Sequence, residues 1–346
     1  MTAAGQICFV AHNRNHVRIF ADAARELRRR ERKVVFAYVD QHQDSEATIA
    51  AAEKLGFPLM RASALSRHAS AGDVVCVGND WGPKFLKSEL SRLKANGVLR
   101  VGVVEGARFA KPGHYRNVDL TLCWGPSGAE MMPGGKVVVG SPAIESSIRS
   151  AVETPAKPFI LVNYKFARGA AELGPQWARD AARAADAQGA DYVISAHPLN
   201  VGELAGLKLS HEPFVSLLNQ ATLLITRGST VIYEALAGRV NVIYFPIADE
   251  WRAEFADPMG AFTIAATEAE LAAQVATHCR APAFDVGRAS AFMHRHVDID
   301  PAKPAPIRMA DALEAALLER AEAPPPTNML ARLARKVMDL GALREF

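Results

Sequence analysis

The sequence predicts an α/β protein made of two doubly wound parallel-sheet domains in series. Short apolar runs alternate with helical patterns, the mark of a parallel sheet covered on both faces. A linker-like stretch, Glu153-Thr154-Pro155-Ala156-Lys157-Pro158, interrupts that alternation, and the pattern then restarts. At 346 residues the chain is long enough for each half to bury its own core.

The first half reads strand 6–10, helix 15–30, strand 33–39, helix 45–55, strand 73–77, helix 82–96, strands 99–104 and 119–123, helix 126–132 and strand 136–139. Runs such as Ile7-Cys8-Phe9-Val10 are nearly continuous in apolar residues, as strands buried on both faces are. The second half reads strand 159–162, helix 175–189, strand 191–196, helix 213–219, strand 222–226, helix 230–238 and strand 241–245, with further helices near 267–278 and 306–322. The expected domains are therefore 1–150 and 151–323. Beyond them, 324–346 opens on Pro324-Pro325-Pro326 and continues as a basic segment. There Leu330, Leu333, Val337 and Leu340 can share one helical face, with Arg332, Arg335 and Lys336 away from it. Over 327–343 that face suits peripheral contact with a membrane, and equally well packing on the first domain or on a homodimer partner.

Composition narrows the class. Apolar residues at 49% and charged residues at 22% are ordinary for a soluble globular protein. A net charge of +3 is too small to predict a nucleic-acid partner. No apolar run approaches the roughly 20 residues that span a bilayer, and Met1–Gln6 carries no basic region leading into an apolar one. The expected location is cytoplasmic, with the tail able to reach the inner face of the membrane. Cys8, Cys76, Cys123 and Cys279 are widely spaced, which suits buried free thiols rather than a metal site or disulfide framework.

Ligands of doubly wound sheets bind beyond the carboxyl ends of the strands, so the loops after strands carry the candidates. Leu223–Thr226 runs into the turn Arg227-Gly228-Ser229, and Thr230 begins a helix. Unpaired amides and the positive end of the helix dipole favour an anion there, with the two hydroxyls and Arg227 as further donors; a diphosphate fits. Glu234, one turn on, can accept ribose hydroxyls. The alternative is structural: Ser229 or Thr230 as a helix cap, with Glu234 solvated. His197 follows strand 191–196, where it can donate to phosphate, act as an acid, or fix the loop before Pro198. Asn163, Lys165 and Arg168 follow the strand before it and add to the same rim.

In the first domain, Asp80 and Glu105 both follow strands, in Gly78-Asn79-Asp80 and in Glu105-Gly106-Ala107-Arg108. Either can take a proton from an attacking hydroxyl, or cap a helix. The polar run His12-Asn13-Arg14-Asn15-His16 follows the first strand, with Asn15 as a candidate cap.

These motifs, in this order, resemble the GT-B superfamily, in particular the branch with UDP-N-acetylglucosamine 2-epimerase, the CDP-glycerol glycerophosphotransferases and capsule-type Kdo transferases. The resemblance covers roughly residues 6–320. It is carried by Val77-Gly78-Asn79-Asp80; by Val104-Glu105-Gly106-Ala107-Arg108, similar to the epimerases' Glu-Ala-Gly-Leu-Arg; by Val139-Gly140-Ser141-Pro142; by Ala196-His197-Pro198; and by Phe214 through Ala235. Two departures stand out. Lys111-Pro112-Gly113-His114-Tyr115-Arg116-Asn117 lacks the second carboxylate of the epimerases, and Glu105-Gly106 stands where the glycerophosphotransferases have His-Gly.

The resemblance implies two Rossmann-like domains facing a cleft and an enzyme, a metal-independent, inverting glycosyltransferase of cell-envelope polysaccharide or glycolipid synthesis. No bound cofactor is expected, only a nucleotide-sugar donor, UDP- or CMP-linked, and a saccharide or lipid-linked acceptor. Metal independence rests on the lack of an Asp-x-Asp element after an apolar strand. Glu105 is the first choice of base and Asp80 the second; His197, Arg227, Gly228, Ser229 and Thr230, with Asn163 and Lys165, bind the donor, whose ribose Glu234 holds. His12, Asn13 and Arg108 line the acceptor side. The rivals are an epimerase, a glycerophosphotransferase and a non-catalytic nucleotide-sugar binder.

Overall fold

The structure is a computed structural model that describes residues 5–39, 45–79, 84–106, 115–148, 157–164, 173–196, 204, 206–247 and 255–322. Residues 153–156 of the linker and the segment from 323 lie outside the described residues. Two compact units divide the chain. The first holds Met1–Pro142 and the chain from Asp300 onward, and the second holds Ala143–Ile299.

The first unit runs β1 (Ile7–Ala11), α1 (Arg14–Arg29), β2 (Val34–Tyr38), α2 (Ser45–Glu53), β3 (Leu59–Arg61), α3 (Leu65–His68), β4 (Val74–Val77), α4 (Lys84–Ala95), β5 (Leu99–Val103), β6 (Leu120–Cys123), α5 (Pro126–Met131) and β7 (Gly135–Val138). Its seven strands are parallel, in the order β3-β2-β1-β4-β5-β6-β7. Side chains alternate between faces: Ile7, Phe9 and Ala11 join one core, Cys8 and Val10 the other. α1 forms because Val17, Phe20, Ala24 and Leu27 fall on one stripe, all buried. It starts where the Asn13 side chain accepts from the His16 amide at 3.0 Å, so the cap is Asn13 and not Asn15.

After α6 (Pro142–Glu145), the second unit runs β8 (Phe159–Tyr164), α7 (Gly174–Asp186), β9 (Asp191–Ala196), β10 (Leu209–Ser210), α8 (Phe214–Gln220), β11 (Leu223–Thr226), α9 (Val231–Ala237), β12 (Asn241–Tyr244), β13 (Thr263–Ile264), α10 (Glu268–Arg280) and α11 (Val286–His296). Its six strands are also parallel, ordered β10-β9-β8-β11-β12-β13. Trp177, Ala181 and Ala185 of α7, with Leu271 and Val275 of α10, cover Ile160, Val162, Ile194 and Ile225 on one face of the sheet.

One expectation changes. The helix α12 (Ala305–Glu322), expected to close the domain 151–323, belongs to the first unit. Met309, Leu313 and Leu317 enter the core shared with α1, and Arg30 donates to Asp311 and to Glu314, both at 2.6 Å. An apolar stripe fits any complementary core, and nothing local in α12 names the right one. The strands β3, β10 and β13 and the helices α3, α6 and α11 also escaped the sequence pattern. All but α11 span two to four residues, too short to show a period.

Cys8, Cys76 and Cys123 are buried free thiols as expected, and Cys279 is partly exposed. Burial pushes the Cys8 and Cys123 thiols up to about 12. No described helix is long and apolar enough to cross a membrane.

Candidate functional site

The strand order of the first unit reverses between β1 and β4, and at such a switch point the loops at the carboxyl ends diverge and leave a crevice. Three of those ends converge on one carboxylate. Beyond β5, Glu105 accepts from Nε2 of His16, which lies in the first turn of α1, and from Nδ2 of Asn79, just past β4, at 3.0 Å. The backbone amide of His12 donates to His16 Nδ1 at 3.2 Å. An amide can only donate, so Nδ1 must accept, and the ring carries its hydrogen on Nε2, aimed at Glu105. Burial separates the two roles. The His16 side chain is fully enclosed, whereas that of Glu105 is 28% exposed.

Glycine makes the close packing behind His16 feasible. A Cβ on Gly78 would stand 2.6 Å from His16 Nε2, and one on Gly102 of β5 would stand 2.5 Å from the ring of Tyr115. The Tyr115 hydroxyl in turn donates to the Gly78 carbonyl at 2.7 Å.

In the second unit the switch point lies between β8 and β11. Asn163 and Thr226 are register partners there, and Asn163 Nδ2 donates to Thr226 Oγ1 at 2.9 Å. Thr226 Oγ1 donates to the Arg227 carbonyl at 3.0 Å, which shapes the turn into α9. Thr230 occupies the cap position without a side-chain hydrogen bond to the helix, and Ser229 Oγ meets the Val231 amide only at 3.5 Å. Both hydroxyls are therefore little used in capping.

No protein-family model matches the sequence, and a search of curated proteins gives no match. Solved structures do resemble it. A Listeria monocytogenes protein assigned as a UDP-N-acetylglucosamine 2-epimerase superposes with a TM-score of 0.64 at 14% identity, over 94% of this chain and 98% of its own. The UDP-GlcNAc 2-epimerase of Methanocaldococcus jannaschii, in complex with UDP-GlcNAc and UDP, gives 0.62 at 13% identity over 90% and 99% of the two chains. The glycosyltransferase VinC, in complex with dTDP, gives 0.57 at 14% identity over 91% and 100%. The fold is GT-B.

Within this GT-B chain the expected residues fall into three groups. Glu105, Asn163, Gly228, Ser229 and Thr230 stand at the carboxyl ends of the two sheets. Arg227, His12, Asn13 and Glu234 are buried or engaged: Arg227 is 1% exposed, His12 4% and Glu234 8%, while the Asn13 oxygen caps α1. The burial of Glu234 speaks against the solvated alternative. Asp80, Arg108, Lys165, Arg168 and His197 lie outside the described residues.

Sequence reasoning missed His16, Asn79 and Tyr115 as site residues. The signal for the first two was the strand order itself, which makes the ends of β1 and β4 neighbours. Tyr115 lies about ten residues past Glu105, and only packing brings it back behind Gly78. Among the described residues, no group of three or more His, Cys, Asp or Glu is placed to hold a metal ion. A cavity of about 440 Å³ lined by Gln6, Lys33, His68 and Asp73 sits at the opposite, amino-terminal edge of the first sheet, away from Glu105.

Proposed function

We propose that the protein is a glycosyltransferase that moves a sugar from a nucleotide-activated donor to a hydroxyl acceptor. The observation that carries this reading is the Glu105 carboxylate, which accepts hydrogen bonds from His16 and Asn79 at a switch point and is exposed along part of its surface. Two donors favour the ionised form, so the group is set up to receive a proton rather than to give one. The acceptor hydroxyl attacks the anomeric carbon, the bond from that carbon to the phosphate oxygen breaks, and Glu105 takes the hydroxyl proton.

On the second unit, the turn from Arg227 to Thr230 receives the leaving phosphate through its backbone amides and the hydroxyls of Ser229 and Thr230. His197 and Lys165 assist, without a metal. The nucleotide complexes of the M. jannaschii protein and of VinC support a nucleotide-linked donor, UDP- or CMP-linked in this chain. The acceptor we propose is a saccharide or lipid-linked intermediate of cell-envelope polymer or glycolipid synthesis.

The test is a thermal-shift screen against UDP, CMP, CDP, GDP and their sugars. A ligand at about a hundred times its dissociation constant adds roughly 2.7 kcal/mol, easily seen as a higher melting temperature. No shift with any nucleotide overturns the reading. An epimerase, which the fold likeness also suits, would interconvert UDP-N-acetylglucosamine with its 2-epimer and need no acceptor; finding that turnover would replace transfer with epimerisation.

A further inference from the structure

We propose that His16 is the positioning residue of Glu105, locked as the Nε2–H tautomer and seated by a wall made of Gly78, Tyr115 and Gly102. The proposal rests on the reading of Glu105 as the proton acceptor.

Both ring nitrogens of His16 are committed, Nδ1 to the His12 amide and Nε2 to Glu105, and the ring has no exposed surface. It therefore cannot itself take a proton from a substrate that reaches only Glu105. Its work is to hold the carboxylate in one rotamer while Asn79 holds the other oxygen. A carboxylate fixed at both oxygens keeps one orientation toward an incoming hydroxyl, and that orientation is worth far more than the hydrogen bonds alone. The wall explains residues that otherwise have no task. Gly78 is glycine because any Cβ would strike His16, and Gly102 because any Cβ would strike Tyr115. Tyr115 spends its hydroxyl on the Gly78 carbonyl, which keeps that strand end against the ring.

The experiment is nitrogen-15 NMR of the histidine rings in the full chain, with the His16 signal assigned by its loss in His16→Gln. The expected signal is an Nε2–H tautomer that moves in Glu105→Gln and in Tyr115→Phe. Tyr115→Phe removes one oxygen and keeps the ring, so it loosens the wall by a far smaller change than an added Cβ at Gly78 would make. An Nδ1–H tautomer, or a His16 signal indifferent to both variants, overturns the proposal.

UDP release from UDP-N-acetylglucosamine supplies the second readout. His16→Leu should lower kcat about a hundredfold with KM nearly unchanged, and His16→Gln, whose side-chain amide can still donate, should recover most of that loss. Equal losses in the two variants overturn the positioning role. An unchanged rate in Glu105→Gln, with the NMR coupling present, instead counts against Glu105 as the base and leaves the clamp standing.

Discussion

Asn79 gives its amide hydrogen to Glu105 Oε2 at 3.0 Å while its own carbonyl oxygen, Oδ1, is buried with no hydrogen-bond partner among the described residues. A buried acceptor left unmatched costs about 1–3 kcal/mol, so its orientation is held by what the other end of the amide does for Glu105. Replacing Asn79 with Asp exchanges that donor for a second carboxylate. Like charges in contact resist joint ionisation, so the Asn79→Asp protein should need a pH about one unit higher to become active. A pH–rate profile of nucleotide release from the donor checks this; an unmoved profile would separate Asn79 from the chemistry.

Thr230 and Ser229 discriminate between capping and ligand binding. Neither side chain makes a good cap bond, so Ser229→Ala and Thr230→Ala should each change folding stability by less than about 0.5 kcal/mol. Affinity for the donor nucleotide should fall about tenfold, the worth of one hydrogen bond to a charged oxygen. Chemical denaturation and nucleotide titration on the same samples give both numbers. Lost stability with unchanged affinity would return the two residues to the helix.

The attachment of α12 to α1 should respond to both truncation and acid. Leu313 is fully buried between α12 and the first sheet, so Leu313→Ala should destabilise the first unit by about 2–5 kcal/mol. Burial raises the Asp311 and Glu314 pKa values, but hydrogen bonds from Lys303 and Arg30 to the former, and from Arg32 and Arg30 to the latter, outweigh it and leave both below the ordinary carboxylate range. Groups whose folded pKa is depressed contribute stability above their unfolded values and lose it as pH falls through the folded ones. Urea unfolding should therefore show an acid loss below about pH 4 that Arg30→Ala diminishes.

His278 has the opposite chemistry with the same acid outcome. Burial lowers its pKa from 6.5 to about 4, and its ring meets Thr222 Oγ1 at 3.3 Å between α10 and β11. The unfolded chain takes up a proton near pH 6.5 that the folded one refuses until about pH 4. Stability is thus full above 6.5 and declines as pH falls toward 4, by up to about 3 kcal/mol. His278→Gln should flatten unfolding free energy across this window; a wild-type curve already flat there would refute the assignment.

Much of the architecture was legible because β1 and β4 are uninterrupted apolar runs, β8 and β11 open on such runs, and β5 is apolar apart from Arg100, and the restart after the linker separated the two sheets. Glu105 was legible for the same reason, as the first polar residue after such a run. His16 was not, since its importance depends on α1 turning its first residues toward the end of β5, two strands away in the sheet. Arg227 shows the limit from the other side: a charged residue at a strand end reads as an exposed donor, and only the structure shows that its side chain is almost fully buried.

Because α12 returns to the first sheet, the second unit is an insertion within the first. Ala143–Ile299 is one continuous stretch, whereas the first unit is assembled from two separated pieces of chain. Synthesis from the amino terminus therefore completes the later unit first, and β1 to β7 must wait, with the α12-facing side of Ile7, Val74 and Val101 uncovered, until the ribosome has passed residue 317.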